Sequence, residues 1–281
     1  LSLKNQHWDT QTNIFSDMFI DSLCRINPDL SASDARRVLT DITLELDNED
    51  LGKTFFERLT SSSGIKLIDF KNFNKNSFHV VTELPCINGD EEFRPDITLL
   101  INGMPLAFVE VKKPNNKGGI GEERERMAKR SLNPKFRRFI NITQLMVFSN
   151  NMEYDQGETL PIQGAFYASS AYGKPVFNYF REEHTLNLTK LLQNLTDEQE
   201  TFVLQDNNVP VIKHNPEFAS NKHHDTPTNR ICTSIFSRER LAFFLQYGLA
   251  YIQTSTGIQR HIMRYPQLFA TLALRATLEK G

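Results

Sequence analysis

Cysteine is scarce in this chain, with only Cys24, Cys86 and Cys232 among 281 residues. The three are far apart, odd in number and form no Cys-x-x-Cys pair. That excludes a disulfide framework or a cysteine zinc site and points to a reducing cytoplasm. No apolar run approaches the ~20 residues that cross a bilayer, so no membrane partner is expected. A Walker-type glycine loop is also missing, so these residues do not themselves cradle a nucleoside triphosphate. There is no internal repeat. A net charge of −2 rules out a uniformly basic coat for nucleic acid. The start, Leu1-Ser2-Leu3-Lys4-Asn5, carries neither a signal-peptide pattern nor an initiator methionine, which leads us to expect a native start upstream. Hydrophobic residues at 39% and charged residues at 23% are ordinary for a globular chain. The length allows one large or two modest domains.

Residues 94–114, RPDITLLINGMPLAFVEVKKP, propose a chemistry. Asp96 opens an apolar run, Asn102-Gly103 breaks it, and a second run delivers Glu110 and Lys112. Alternation along a strand puts those two on one face. Asn-Gly between apolar runs predicts a hairpin, which lays Asp96 beside Glu110 and Lys112. Two carboxylates and one ammonium then converge, the minimum set for holding a hard divalent cation and polarising a water beside it.

The bare pattern is common; a chain of this length holds on the order of one or two by chance. A second one is present, Asp69-Phe70-Lys71 with Glu57 upstream. Taken alone, the pattern favours a same-face ion pair of Glu110 and Lys112 contributing well under ~1 kcal/mol. Their setting favours the first site. Leu106-Ala107-Phe108-Val109 is apolar on both faces, so the charges end a buried strand, where they are costly unless used. Asp69-Phe70-Lys71 instead runs into a polar tract.

Pro95-Asp96 with Glu110-Val111-Lys112 resembles the PD-(D/E)xK nuclease motif. A longer stretch is similar to the N-terminal domain of the type I restriction enzyme R subunit (HsdR). It includes Asn76-Ser77-Phe78-His79-Val80-Val81, Arg94-Pro95-Asp96-Ile97, Phe136-Arg137-Arg138-Phe139 and Gln144-Leu145-Met146-Val147-Phe148-Ser149. Arg264-Tyr265-Pro266-Gln267 resembles the segment that precedes the helicase motor, so the resemblance spans roughly residues 40–281. It implies an α/β restriction-endonuclease-like core of order αβββαβ, a mixed sheet flanked by helices, with added helices at both ends. Periodicity alone supports only mixed α/β. The expected division is a helical extension over 1–45, the endonuclease core over 46–182, and a helical region and linker over 183–281 leading toward a motor.

Amphipathic spacing predicts helices ending near Asn27-Pro28, following Ser31, and beginning after residues 47–50 with Leu51, Phe55 and Leu59 buried. Strand-like runs follow at 66–70, 78–84, 97–101 and 106–111. A polar break at 115–121 leads to helices over 122–130 and 136–140, then strands at 144–148 and 164–169. Beyond Phe180, residues 185–205 look helical, 207–229 read as a linker or exposed connection, and 235–252 and 260–278 as helices. Adjacent His223 and His224 do not share a helix face and make a poor ligand pair. Between residues 112 and 138 ten Lys or Arg face three acids, a local excess of +7. Such a stripe either binds phosphates or is a solvated helix face with pairs such as Glu122 and Arg126.

The resemblance implies Mg²⁺-dependent hydrolysis of double-stranded DNA. Asp96, Glu110 and the Val111 carbonyl would hold the metal, and Lys112 would position the water. Lys113, Arg126 and Arg130 would grip phosphates without reading sequence. Arg94 either joins them or pairs with Glu91 or Glu92. Related nucleases add an acid from the preceding helix; Glu49 and Glu57 both qualify. The Gln-xxx-Tyr element of many R subunits has neither residue in register on the helix after Lys112. Modification and specificity subunits are the implied partners, with ATP acting only through a motor. A silent DNA-binding or docking module and a free-standing RecB-like repair nuclease are the alternatives.

Overall fold

The computed structural model describes residues 3, 6–114, 118–154 and 162–280. Three helices come first: α1 (Ser16–Ile26), α2 (Ala32–Glu45) and α3 (Lys53–Thr60). The Ser31 hydroxyl caps α2 by accepting from the Asp34 N–H at 3.1 Å. Ahead of α3, the Asp50 carboxylate accepts from the Gly52 and Thr54 N–H groups. The strands β1 (Phe78–Thr82), β2 (Cys86–Asn88), β3 (Glu91–Phe93), β4 (Ile97–Ile101) and β5 (Met104–Val111) follow. Next come α4 (Gly119–Leu132), α5 (Arg137–Ile142), β6 (Leu145–Ser149), β7 (Ala165–Ala168) and β8 (Asn178–Tyr179).

Six of these strands form one mixed sheet in the order β1-β4-β5-β6-β7-β8. Only β5 and β6 pair in parallel, the connection running through α4 and α5; the other neighbours are antiparallel. The short β2–β3 hairpin is separate. The result is a mixed α/β fold with helices on both faces of the sheet, as expected.

Alternation on β5 and β6 sorts side chains between two cores. Ala107, Val109, Leu145 and Val147 pack with residues of α1, α2 and α3. Phe108, Met146 and Phe148 pack with Ile120 and Met127 of α4 and Phe139 of α5. Glu110, two residues beyond Phe108, therefore faces α4.

At the centre of the hairpin, Asn102 and Gly103 both have positive φ, 51° and 77°, the conformation that Asn-Gly favours. A Cβ on Gly103 would lie 2.7 Å from the Phe15 carbonyl oxygen and 2.8 Å from the Phe19 nitrogen, so the turn seats against the start of α1. The buried Asn102 amide accepts from the Ser77 N–H and donates to the Leu67 carbonyl and to Asn76 Oδ1.

The same asparagines explain why residues 66–70 are irregular rather than a strand. Asn76 takes both the N–H and the carbonyl of Asp69, and Asn27 does the same for Lys66. The backbone groups that a ladder needs are already satisfied by side chains.

The C-terminal third departs most from the sequence-based reading. Residues 185–205 hold two helices, α6 (Leu188–Leu191) and α7 (Asp197–Asp206), the second starting at a Thr196 capping box. Residues 207–229 carry a 3₁₀ turn, α8 (Pro216–Asn221) and the start of α9 (Pro227–Ile235), so they are not a plain linker. After α10 (Arg238–Tyr247) the chain forms a hairpin, β9 (Leu249–Thr254) and β10 (Gly257–Ile262), before α11 (Tyr265–Leu278). The apolar content suited helix or strand equally; the Thr254-Ser255-Thr256-Gly257 punctuation, with Gly257 at φ 118°, decides for the hairpin. Arg260 on β10 is 6% exposed and donates to the Thr143 and Leu51 carbonyls and to Gln144 Oε1. Ile231, Ile235, Leu241 and Phe244 join the same core as α1, α2 and α3.

Asn102→Ala leaves the Ser77 N–H without its acceptor and places a Cβ residue with no stabilising amide at positive φ. We expect a loss of about 2–3 kcal/mol in urea unfolding. Asn74→Ala, on the adjacent surface turn, should stay within about 0.5 kcal/mol of the parent chain.

Candidate active site

The β4–β5 register pairs Ile97 with Val109 and Thr98 with Phe108, which brings Asp96 to the end of β5. Asp96 Oδ2 accepts from the Val111 N–H at 2.6 Å, and the Asp96 N–H points at Glu110 Oε2 at 3.4 Å. Lys112 Nζ donates to Glu110 Oε1 at 2.7 Å. The Lys112 N–H continues the parallel pairing by donating to the Ser149 carbonyl at 2.8 Å. Asp96, Glu110 and Lys112 are thus brought together where β5 emerges from the core. Glu110 is 6% exposed, whereas the Val111 side chain turns outward.

A third acid joins them, and it is neither Glu49 nor Glu57. Glu49, on the bend before α3, pairs with Arg137, and Glu57 of α3 pairs with Lys53; α3 packs its Phe55 and Leu59 into the core on the other face of the sheet. The acid is Glu123 of α4, 1% exposed. Its Oε2 lies 3.2 Å from Lys112 Nζ and 3.5 Å from Arg126, and its Oε1 lies 2.8 Å from Arg130. A signal for it exists in the sequence. Ile120, Glu123 and Met127 are spaced on one helical stripe, so a charge sits on the apolar face of α4. With no Gln-xxx-Tyr pair in register, α4 turns Glu123 and Met127 inward. Gln144 is structural: fully buried, it donates to the Ile142 carbonyl and accepts from Arg260.

The charges perturb one another. Burial first, then repulsion from Asp96 and Glu123, pushes the Glu110 carboxyl up, against the pull of Lys112. Burial also raises Asp96, opposed by the Val111 N–H and Lys112. At the rim, Glu83 has φ 50° and donates its N–H to the Asp96 carbonyl; burial and the Asp96 charge raise its carboxyl. Burial disfavours the Lys112 ammonium, but its bonds to Glu110 and Glu123 outweigh that and raise its pKa. Among the described residues no three His, Cys, Asp or Glu side chains form a ready cage for an ion. Asp96 and Glu110 remain as a pair of hard oxygen donors.

Of the expected phosphate-gripping residues, Arg126 and Arg130 flank Glu123, Arg130 also lying 4.6 Å over the Phe93 ring, and Lys113 is exposed next to Lys112. Glu122 pairs with Arg126 at 4.0 Å. Much of the rest of the basic stripe is neutralised from outside it. Lys135 pairs with Asp90 and Glu91, Arg137 with Glu49, and Arg138 with Asp47. Arg94 pairs with Glu92. Lys117 and residues 115–116 of the polar break lie outside the described residues. The rival Asp69 closes a turn, its Oδ1 accepting from the Asn72 N–H at 2.9 Å.

Because Asp96 and Glu110 titrate above the ordinary carboxylate range, the folded chain holds their protons more tightly than the unfolded one. Their contribution to stability is therefore fullest below the unfolded values and is lost as pH rises through the raised folded values. At neutral pH in chelator, Asp96→Asn keeps an acceptor for the Val111 N–H and removes the charge. We expect its Tm to rise by about 2–4 °C, measured by differential scanning calorimetry, with a smaller gain at acidic pH.

A family model described as type I restriction enzyme R protein N terminus (HSDR_N) matches residues 2–160, more than half of the chain. Three relatives from Methanocaldococcus jannaschii are similar to parts of it. The putative type I restriction enzyme MjaIXP endonuclease subunit is 33% identical over 131 residues, 40% of this chain and 12% of that protein. The putative MjaVIIIP endonuclease subunit is 44% identical over 52 residues, 18% of this chain and 5% of its own length. The putative MjaVIIP endonuclease subunit is 47% identical over 47 residues, 17% and 4% of the two chains. The matches span about an eighth or less of those relatives. No helix among the described residues is long and apolar enough to cross a membrane. With its extensive match and its acid-acid-lysine cluster at the end of a buried strand, this chain belongs to the type I restriction enzyme R protein N-terminus family.

Proposed function

We propose that this region is the endonuclease part of a type I restriction enzyme R subunit, hydrolysing phosphodiester bonds of double-stranded DNA without sequence preference of its own. The observation that carries the reading is the convergence of Asp96, Glu110 and Lys112 at the outlet of β5. The element order, α3, antiparallel β1-β4-β5, α4, then β6 parallel to β5, supports a PD-(D/E)xK core.

Mg²⁺ suits this donor set. It takes hard oxygen ligands, needs only one or two carboxylates and keeps several waters; the Asp96–Glu110 pair carries repulsion that a cation relieves. Asp96, Glu110 and the Val111 carbonyl would hold it. When bound, the ion supplies Lewis acidity toward water and the scissile phosphate. Lys112, kept protonated by Glu110 and Glu123, directs its N–H groups to the attacking water and offsets charge developing on the phosphate. Its raised pKa suits positioning better than general-base work. Lys113, Arg126 and Arg130 bind backbone phosphates, which fixes register without reading bases.

In this reading the endonuclease core occupies residues 46–182, preceded by a helical extension over 1–45. Residues 183–281 lead toward an ATP-driven motor, and modification and specificity subunits supply recognition. Glu110→Ala or Lys112→Ala is expected to abolish Mg²⁺-dependent cleavage by the assembled enzyme, more than ~100-fold, while ATP hydrolysis continues. Normal cleavage by either variant would sink the assignment. Titrating Mg²⁺ into this chain with DNA present separates the nuclease from a silent docking module. The nuclease binds the ion and loses it in Asp96→Ala, whereas a docking module binds none. Activity without ATP or partners would instead favour a free-standing repair nuclease.

A further inference from the structure

Glu123 is the most buried charged side chain beside the site, and its single negative charge is shared. Here it faces three cations: Arg130 at 2.8 Å, Lys112 at 3.2 Å and Arg126 at 3.5 Å. The three differ in how firmly they are held. Arg130 is mostly buried and lies over the Phe93 ring. Lys112 is 16% exposed and anchored a second time by Glu110. Arg126 is 56% exposed, has the longest contact, and shares an oxygen, Oε2, with Lys112.

We propose that Glu123 is a positioning residue that sets the Lys112 ammonium over the reacting phosphate and couples that placement to the phosphate grip of Arg126 and Arg130. The inference rests on the nuclease reading above. Without DNA, Arg126 and Lys112 compete for Oε2. A backbone phosphate is the stronger and more accessible partner for an exposed guanidinium. Once it draws Arg126 away, Oε2 is left to Lys112 and the ammonium is fixed between Glu110 and Glu123. Contact with DNA is thereby transmitted across one carboxylate to the lysine. The same carboxylate restrains two arginines in the free protein, so it opposes DNA binding while it promotes cleavage.

That opposition gives a test that simple loss of structure cannot imitate. Glu123→Gln keeps the shape and removes the charge. In the assembled enzyme its cleavage rate at saturating DNA should fall about 10- to 100-fold. Affinity of the chain for a short non-specific duplex in chelator, followed by fluorescence anisotropy, should rise about threefold with a steeper salt dependence, because two arginines are released. Glu123→Asp, which restores the charge on a shorter stem, should recover a substantial part of the lost rate. Wild-type cleavage by Glu123→Gln, with Lys112→Ala inactive, overturns this proposal and leaves the nuclease reading standing; active Lys112→Ala overturns the nuclease reading itself. A fall in both rate and DNA affinity for Glu123→Gln assigns Glu123 a structural role and also overturns the proposal.

Discussion

The Asn102-Gly103 turn governs the geometry of everything around the site. Two consecutive residues at positive φ reverse the chain and start the β4–β5 pairing, which then shifts by one residue at an irregularity between Leu99 and Leu100. Beyond that shift strand periodicity fixes the faces, because a further slip of β5 by one residue would turn Glu110 and Lys112 to its opposite face. The turn is held from several directions. Asn102 is bonded to Ser77, Leu67 and Asn76, and Gly103 packs against the start of α1 too closely for any side chain. Helices far from the chemistry therefore contribute to its precision through the back of the hairpin.

At the other end of β5 the balance of forces is different. The turn is a satisfied buried network, whereas the strand outlet gathers Asp96, Glu110 and Glu123 around Lys112 and two arginines. Burial and mutual repulsion raise two of those carboxyls, so their charged forms oppose folding in the absence of a cation. A rigid hairpin that tolerates this opposition is what allows hard ligands to be preorganised. The stability comes from the two apolar cores on either face, which absorb Phe108 and Val109 immediately before Glu110.

Much of this was legible in the sequence because it is local. The hairpin signal lay in two residues, the shared face of Glu110 and Lys112 in their spacing, and the cost of a charge in the apolar run before them. The order of the central elements was readable for the same reason, since α2, β4, β5, α4 and β6 have strong periodicity and clear punctuation. The run at 66–70 is strand-like in sequence yet irregular in the fold because Asn27, 39 residues before Lys66, and Asn76, seven residues after Asp69, satisfy its backbone. Most of β9 and the second half of β10 fall within runs whose apolar content fits helix or strand, and the docking of the hairpin depends on Arg260 reaching the carbonyl of Thr143.

By itself the sequence determined the strand pair, the face on which Asp96, Glu110 and Lys112 meet, and the reversal that unites them, since alternation and turn chemistry act over a few bonds. Tertiary structure decided which acid completes the cluster and how much of the basic stripe is offset by acids from elsewhere in the chain. Glu57 lies on a helix packed against the wrong face and Glu49 on the bend before it, while α4 folds back over β5 and carries Glu123 to Lys112. Likewise Lys135, Arg137 and Arg138 are neutralised by acids some 40 to 90 residues earlier in the chain. Coulomb energy depends on distance in space, and distance in sequence does not set it.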